Sequence, residues 1–259
     1  MPTGIGAGIA GQVFTEPHAP AAPACPTTYS CIFDGVAESL IDASGKPLLG
    51  AAGTGNFTIT WWMKAVNPAS GSNQRILTAL GGSTVWALYL TNVGTLTWIS
   101  TGTGFWNDGS GYTLAADTWV HYAYSVDRSG NAVFYENAAN PNTKSIAANA
   151  LVFDTAGTFY VGRQAGGQYF DGKMTEIAIW QQALSQAEIA QLYNNTTGEC
   201  YSDVSAFSFA GSLQNWWRCW NPSGTYVNPM PDVGTLGPAA NLVPDNMDAT
   251  NVSTDTPLP

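Results

Sequence analysis

Three aromatic and two polar residues lie close together in a glycine-rich segment, residues 101–112, and together they could bind a sugar. Sugar binding needs an exposed aromatic face beside amide or carboxylate groups. The candidate contacts are Phe105, Trp106, Asn107, Asp108 and Tyr112, with Trp86 and Trp98 as supporting rings. The glycines favour a mobile loop. The alternative is that these rings cap a hydrophobic core or pack against a neighbouring subunit.

The residues available for catalysis or metal binding are few. A Ser-His-Asp triad needs a positioned histidine. We interpret His121 as a hydrogen-bonded structural residue of a strand, and His18 lies near the N-terminus. Asp34 and Asp171 both follow Phe and precede Gly, but calcium takes about six to eight oxygens, and each Asp can instead serve its own turn. We predict no catalytic residue, no metal site and no cofactor, and leave calcium as an open alternative.

Strand-like segments dominate the middle of the chain. Short runs of β-branched and aromatic residues alternate with Gly, Asn, Ser and Asp turns, which predicts a sandwich or a barrel. The predicted strands are 57–63, 75–80, 85–91, 95–100, 118–126, 132–137, 158–162 and 173–180. In the last of these, Met174 is out of phase with Ile177 and Ile179, so we expect a β-bulge between them.

Local signals also place one helix and one hairpin turn. Ser185 and Glu188 have the spacing of a capping box, which predicts a helix of about ten residues that must pack on the sandwich. Residues 128–131 predict a turn in which Gly130 and Asn131 adopt positive φ.

The two ends of the chain differ from the middle. Residues 1–28 are rich in Pro, Ala and Gly and are interpreted as an extended arm, either disordered or ordered against a neighbouring subunit. Residues 29–202 are the predicted main domain. Residues 203–259 are expected to add one strand, at about 212–220, and then to continue as an extended tail.

Charge and hydropathy exclude two classes of partner. Only 10% of the 259 residues are charged, and the formal net charge is -10. An acidic protein repels phosphate backbones and anionic lipids, so we expect neither nucleic acid nor a membrane as a partner. No apolar run approaches a membrane span, and the N-terminus lacks the basic region of an export signal.

The four cysteines allow three disulfide pairings. They are Cys25, Cys31, Cys200 and Cys219. Their spacing does not match a zinc site. Without an export signal we expect reduced, buried thiols, except in a particle released from the cell, where thiols can oxidise later.

A series of short motifs runs through the central part of the chain. These are Phe-Asp-Gly at 33–35, Phe-Thr-Ile-Thr-Trp-Trp at 57–62, Trp-Val-His-Tyr-Ala at 119–123, Tyr-Val-Gly at 160–162, Phe-Asp-Gly-Lys-Met at 170–174 and Ala-Leu-Ser-Gln-Ala-Glu-Ile at 183–189. In this order they resemble laminin-G-like members of the concanavalin A-like lectin/glucanase superfamily, over about residues 29–195. The resemblance implies an all-β, two-sheet antiparallel jelly-roll sandwich with one short helix, here with extended N- and C-terminal arms.

The chain departs from that family in four places. Its glucanase members carry catalytic carboxylates as E-x-D-x-x-E or a close variant, and none of the six Glu here fits that spacing. Thr175 stands where the family often has an acidic residue, which weakens an implied calcium site. Asn137-Ala138 replaces a usual Asn-Gly, which implies a different turn. The family's Trp-rich first strand is missing before Phe33, and the segments 213–218 and 232–237 resemble it.

That last departure implies a permuted order of strands. We expect residues 212–220 to pair beside the strand at 30–36. Similar Trp-Trp-Arg tails occur in lectin-like proteins of marine tailed phages, which this chain resembles.

Two functions remain. The first is a non-enzymatic, lectin-like structural protein of a virus particle, as a capsid decoration, head fibre or tail appendage held by its terminal arms. Its partners would be capsid or other virion proteins, further copies of itself as a homo-oligomer, and host cell-surface polysaccharide. The alternative is a secreted, extracellular carbohydrate-binding module without catalytic activity. Four Asn-x-Ser/Thr sequences permit secretion, whereas the missing export signal argues against it.

Overall fold

The computed structural model describes residues 29–42, 44, 55–81, 84–101, 105–146, 157–193, 207–219, 226–235 and 240–257. Over these residues the chain forms two antiparallel β-sheets packed face to face, with one short helix. The predicted all-β jelly-roll sandwich is confirmed. The predicted arm at residues 1–28, with Cys25, lies outside the described residues, as does Cys200.

The first sheet contains eight described strands, one of which is long and central. In spatial order they are β10 (Ala139–Ser145), β9 (Asn131–Glu136), β8 (Val120–Val126), β3 (Phe57–Ala65), β12 (Asp171–Trp180), β1 (Ser30–Asp34) and β15 (Val252–Ser253), and β13 (Leu213–Trp217) also pairs with β12. Because β3 occupies one edge of β12, β1 and β13 share the other edge and lie end to end along it.

The second sheet contains seven described strands. In spatial order they are β14 (Val243–Asp245), β2 (Ser39–Asp42), β11 (Thr158–Val161), β4 (Gln74–Gly81), β5 (Thr84–Leu90), β6 (Thr95–Thr101) and β7 (Phe105–Thr113). The eight strands predicted from the sequence begin and end within two residues of their observed bounds. The prediction of a loop at residues 101–112 was wrong, since most of this segment is β7. Its backbone pairs with β6 despite its glycines.

A β-bulge in β12 brings its apolar residues into phase. The register with β3 shifts between Thr175 and Ala178, and Glu176 has a φ of 52°. Met174, Ile177 and Ile179 consequently all lie in the core between the sheets. The predicted bulge is confirmed.

The helix α1 (Gln186–Tyr193) covers the outer face of the first sheet. Ser185 and Glu188 form the predicted capping box: the Ser185 N–H donates to the Glu188 carboxylate at 2.7 Å, and the Glu188 N–H donates to Ser185 Oγ at 3.3 Å. Ile189 and Leu192 pack in a second hydrophobic cluster against this face of the sheet. No helix among the described residues is long and apolar enough to cross a membrane.

Two hairpin turns differ from expectation. Gly130 and Asn131 do not adopt positive φ, because the turn starts earlier, where Asp127 accepts hydrogen bonds from the N–H groups of Ser129 and Gly130. In the next turn, Asn137 and Ala138 have φ values of 51° and 56°. Two left-handed residues are what an Asn-Gly hairpin provides, so the expected change of turn is not observed.

The C-terminal segment closes the sandwich instead of extending from it. β14 pairs with β2 in the second sheet and β15 pairs with β1 in the first, which corrects the expected extended tail. Pairing satisfies backbone groups that an extended arm would leave to water. The strand at 213–217 pairs with β12 and not, as expected, beside the strand at 30–36, because β15 occupies the free edge of β1.

A disulfide bond cross-links this arrangement of strands. Cys31 in β1 is bonded to Cys219 just after β13, with the two Cα atoms 5.6 Å apart. The expectation of reduced thiols was therefore wrong for this pair. The end-to-end placement of β1 and β13 along β12 brings the two cysteines within bonding distance.

One carboxylate holds the last described residues on the first sheet. Asp255 accepts hydrogen bonds from Lys173 Nζ at 2.6 Å, Lys64 Nζ at 3.0 Å and Trp119 Nε1 at 2.8 Å. Burial alone would raise the pKa of Asp255, but the bonds from Lys173, Trp119 and Lys64 hold it well below its ordinary value. The carboxylate therefore stays ionised over the physiological pH range.

We predict that Asp255→Asn lowers the free energy of unfolding by about 1–2 kcal/mol, because two lysines lose their shared anion at a partly exposed site. Chemical denaturation measures this difference. Asp245→Asn is the matched control, since that equally exposed carboxylate pairs with a single cation, Arg163, among the described residues. A loss no larger than that of the control would mean that Asp255 does not anchor the tail.

Candidate functional site

A polar cleft opens at one end of the sandwich, where the turn after β1 meets the β3–β4 and β11–β12 connections. Its volume is about 310 Å³. It is lined by Asp34, Gly35, Ser70, Ser72, Asn73, Gln74, Gln168, Tyr169 and Asp171. A cleft of this size accommodates one or two sugar-sized groups.

Strand pairing brings two aspartates together in this polar cleft. Asp34 ends β1 and Asp171 begins β12, and the two are direct partners in the antiparallel register. Gly35 has a φ of 76°, and a Cβ there would lie 2.9 Å from the Cβ of Asp171. Glycine is therefore required for the chain to turn away beside the second carboxylate. The two Phe-Asp-Gly motifs thus lie side by side on paired strands.

The carboxylates of the polar cleft have unequal pKa values. Burial alone would raise the pKa of Asp34, but hydrogen bonds with Glu38 and with backbone N–H groups lower it. Burial, together with the charges of Asp34 and Asp117, raises the pKa of Asp171. The wall formed by β1 and β12 thus presents hydrogen-bond acceptors to the cleft at neutral pH.

Gln74 links the walls of the cleft and is almost fully buried. Its Oε1 accepts the N–H of Asp171 at 3.0 Å. Its Nε2 donates to the carbonyl of Asn67 at 2.6 Å and to Ser70 Oγ at 3.2 Å. All of its polar atoms are engaged, so Gln74 supports the shape of the site and leaves ligand contact to its neighbours.

The rim of the cleft carries the groups that a ligand can reach. Gln168 is exposed, and the ring of Tyr169 is half-buried. Asn73 fixes the opposite rim, where its Oδ1 accepts the N–H of Asn92 at 3.0 Å. Amides, carboxylates, hydroxyls and one aromatic ring are the combination that binds polyhydroxylated ligands.

A calcium ion does not fit the residues of this cleft. Calcium takes about six to eight oxygen ligands. Asp34 Oδ1 already accepts two backbone N–H groups, from Val36 at 2.6 Å and Ala37 at 2.9 Å. No group of three or more His, Cys, Asp or Glu within the described ranges is arranged to hold a metal. We therefore derive no role for a metal here.

The residues proposed for sugar binding from sequence lie elsewhere, on β5, β6 and β7. Trp86 and Trp98 are buried in the core between the sheets and stack at 5.1 Å between ring centroids, so a sugar does not reach them directly. Tyr112 is half-buried, and its hydroxyl donates to the carbonyls of Asn140 and Phe134, which joins β7 to the first sheet.

The remaining proposed contacts lie on β7. Phe105, Trp106, Asn107 and Asp108 pair through their backbones with residues 98–101 of β6. Their side chains lie outside the described part of the structure. The glycan contact proposed for them stays a prediction.

Two other residues considered for chemistry have structural surroundings. Glu176 is buried and accepts hydrogen bonds from Trp216 Nε1 and Arg218 Nε. His121 is fully buried, and neither ring nitrogen has a hydrogen-bond partner among the described residues. The expected hydrogen-bonded histidine was thus wrong, because the rings of Trp62 and Tyr193 surround it instead of polar groups.

Sequence reasoning found the two aspartates of the polar cleft but missed its rim. Asn73, Gln168 and Tyr169 lie in connections without periodicity. They meet only because β11 pairs with β4 and because Asp171, the first residue of β12, donates its N–H to Gln74. The one usable signal was the repeated Phe-Asp-Gly motif, which marks where β1 ends and β12 begins.

The sequence pattern of the concanavalin A-like lectin/glucanases superfamily, in its laminin G form, matches residues 40–190. The chain belongs to this superfamily. A search of curated proteins gives no match.

Solved structures with the same fold are distant in sequence. A "putative carbohydrate binding protein" from Bacteroides ovatus ATCC 8483 is 17% identical with a TM-score of 0.60; the match covers 90% of this chain and 62% of that protein. Domain 4 of AbnA, a GH43 extracellular arabinanase from Geobacillus stearothermophilus in complex with arabinotriose, is 16% identical, with a TM-score of 0.51 and coverages of 64% and 76%. A heptameric SAP-like pentraxin from Limulus polyphemus is 14% identical, with a TM-score of 0.50 and coverages of 65% and 83%. At these identities the likeness concerns the fold.

Proposed function

We propose that this chain is a non-enzymatic, lectin-like binding protein that holds a polysaccharide at the polar cleft. The observation that carries the proposal is the convergence of Asp34, Asp171, Gln168 and Tyr169 around one open cleft. These side chains offer acceptors, a donor and a ring to a sugar, and the buried Gln74 keeps their walls in place. A preformed cleft limits the entropy lost on binding.

The residues on β7 provide the second candidate contact for the polysaccharide. Phe105, Trp106, Asn107 and Asp108 lie on the outermost strand of the second sheet. Tyr112 supports this strand from its far end, while Trp86 and Trp98 support the strands beside it from the core.

We predict that Tyr169→Ala weakens binding of the preferred glycan about tenfold, because a sugar loses its aromatic contact. A glycan array with the wild-type chain identifies the ligand, and calorimetry then compares the variants. Trp106→Ala is the companion variant, and matching melting temperatures show that both are folded. A loss with Trp106→Ala alone would move the site to β7, and an array without any bound glycan would refute the proposed function.

The finer proposal is that the chain is a structural component of a virus particle. Its low content of charged residues and net charge of -10 suit an outer surface kept away from packaged DNA. The disulfide Cys31–Cys219 suits a protein that works outside a reducing cytosol. Capsid or other virion proteins, and further copies of the chain, are the proposed partners, with residues 1–28 as the proposed anchor.

The alternative is a secreted carbohydrate-binding module, which the disulfide also suits. Purified particles distinguish the two proposals. Fixed copy numbers of the chain in washed particles, lost on deletion of residues 1–28, support the virion component. Tight glycan binding by a monomer that never co-purifies with particles supports the secreted module.

A further inference from the structure

We propose that Arg75, which adjoins the polar cleft through its hydrogen bond to Gln168, binds the carboxylate of a sugar acid, so that the preferred polysaccharide contains uronic or sialic acid units. This inference rests on the proposed function and names the class of its ligand. It comes from how the cations of this acidic chain are paired.

Most described cations have a carboxylate partner. Lys64 and Lys173 pair with Asp255, Arg163 pairs with Asp245, and Arg218 pairs with Glu176. Arg75 differs from them. No carboxylate of the described residues lies within 4.0 Å of its guanidinium, although Asp and Glu outnumber Lys and Arg by 18 to 8 in this chain.

The guanidinium of Arg75 is held in place and incompletely satisfied. It lies over the ring of Tyr89, 4.5 Å from the centroid, and its Nε donates to Gln168 Oε1 at 2.7 Å. Its Nη1 is buried and has no hydrogen-bond partner among the described residues. A buried donor left without an acceptor is costly, so a shift of this half-buried side chain that lets a ligand oxygen accept from Nη1 gains affinity.

A second polar atom on the same face of the sheet lacks a partner. Arg75 faces Tyr89 across the strands, and Thr78 faces Ala87, which lies two positions before Tyr89 in β5. The hydroxyl of Thr78 is buried, and no described residue forms a hydrogen bond with it. Among the described residues, this face therefore leaves two donors without acceptors, and the half-buried Arg75, not the fully buried Thr78, is the one that a ligand reaches.

Gln168 makes this face continuous with the polar cleft. Its side chain lines the cleft and accepts from Arg75, and its carbonyl accepts the N–H of Arg75 at 2.9 Å. The aspartates on the β1–β12 wall would repel an acid group, whereas Arg75 attracts one. A sugar acid is therefore oriented with its carboxylate at Arg75 and its hydroxyl groups toward Asp34 and Asp171.

A carboxylate is favoured over other anions by geometry. A guanidinium is planar and donates two parallel hydrogen bonds to the two oxygens of a carboxylate. The ring of Tyr89 beneath it fixes the plane in which these bonds form.

The test uses an array of uronic-acid and sialic-acid oligosaccharides, each beside its methyl ester, and the full chain. We expect the wild-type chain to prefer the free acids by about tenfold and to lose this preference as salt rises. Arg75→Gln should weaken binding of the free acids about tenfold and leave binding of the esters unchanged.

Two further variants keep the test decisive if Arg75→Gln fails to fold. Gln168→Glu supplies Arg75 with an internal carboxylate, so the acid preference should disappear while the melting temperature holds or rises. Arg163→Gln removes the other Arg–Tyr stack of this face, at 5.2 Å from the ring of Tyr160, and should change binding of the acids less than about twofold.

The outcomes separate this inference from the proposed function. Equal binding of acids and esters, tighter binding of sulfated sugars, or an equal loss with Arg163→Gln would overturn the role of Arg75 while glycan binding stands. Failure to bind any glycan would remove both.

Discussion

Replacing Cys31 and Cys219 together by alanine should lower the free energy of unfolding by about 3–5 kcal/mol. The two residues are 188 positions apart, so the bond closes most of the chain into one loop. A cross-link of that length removes much of the conformational freedom of the unfolded chain, and its loss restores that freedom. The folded state loses only one buried sulfur atom at each position, which adds a small packing loss.

Denaturant unfolding of the double variant and of the wild-type chain measures this loss. The wild-type chain in reducing buffer separates the effect of the bond from that of the two sulfur atoms, because its packing is retained. The slope of free energy against denaturant should rise in the variant, since a chain without the cross-link exposes more surface on unfolding. A loss below about 1 kcal/mol would show that the pairing of β1 and β13 with β12 suffices alone.

The expected loss reflects how this sandwich is closed. β1 and β13 come from opposite ends of the chain, yet they extend one another along β12. β15 adds to the edge of β1, and Asp255 fixes the segment that follows. The last part of the chain thus completes the sheet that its first described strand begins, and the disulfide joins the two.

The fold could be predicted where the signal is local. In β3 and β8 the residues alternate, so that one side of each strand faces the core and the other faces the helix. The capping box of α1 joins two residues that are only three positions apart. The bulge of β12 was also visible, because Met174 stood out of phase. Such features depend on neighbours in sequence, which a single chain displays directly.

The missed features depend on distant partners. β7 contains glycines that favour a loop, but pairing with β6 overrides that preference. The rim of the polar cleft needs connections that are far apart in sequence to meet. That Arg75 has no carboxylate partner among the described residues cannot be read from composition, because this depends on which carboxylates the fold places beside the other cations.

The wild-type chain should lose stability between pH 7.5 and pH 5 because of His121. Burial lowers the pKa of His121 from 6.5 to about 3. In the unfolded chain this histidine therefore binds a proton below about pH 6.5, whereas in the folded chain it binds one only below about pH 3. The contribution of His121 to stability is constant above this window and falls as the pH drops through it, by about 2 kcal/mol at pH 5.

The variant His121→Phe should abolish this dependence. It keeps a ring between Trp62 and Tyr193 and removes two buried nitrogens that lack partners within the described part of the chain. At pH 7.5 it should therefore be at least as stable as the wild-type chain. Unfolding free energies at pH 7.5, 6 and 5 give the difference between the two chains. His18 is present in both and cancels. If plots of unfolding free energy against pH are parallel for wild type, His121→Phe and the smaller His121→Leu, the acid sensitivity lies outside His121. If the plots diverge below about pH 6.5, the sensitivity belongs to the imidazole beneath α1.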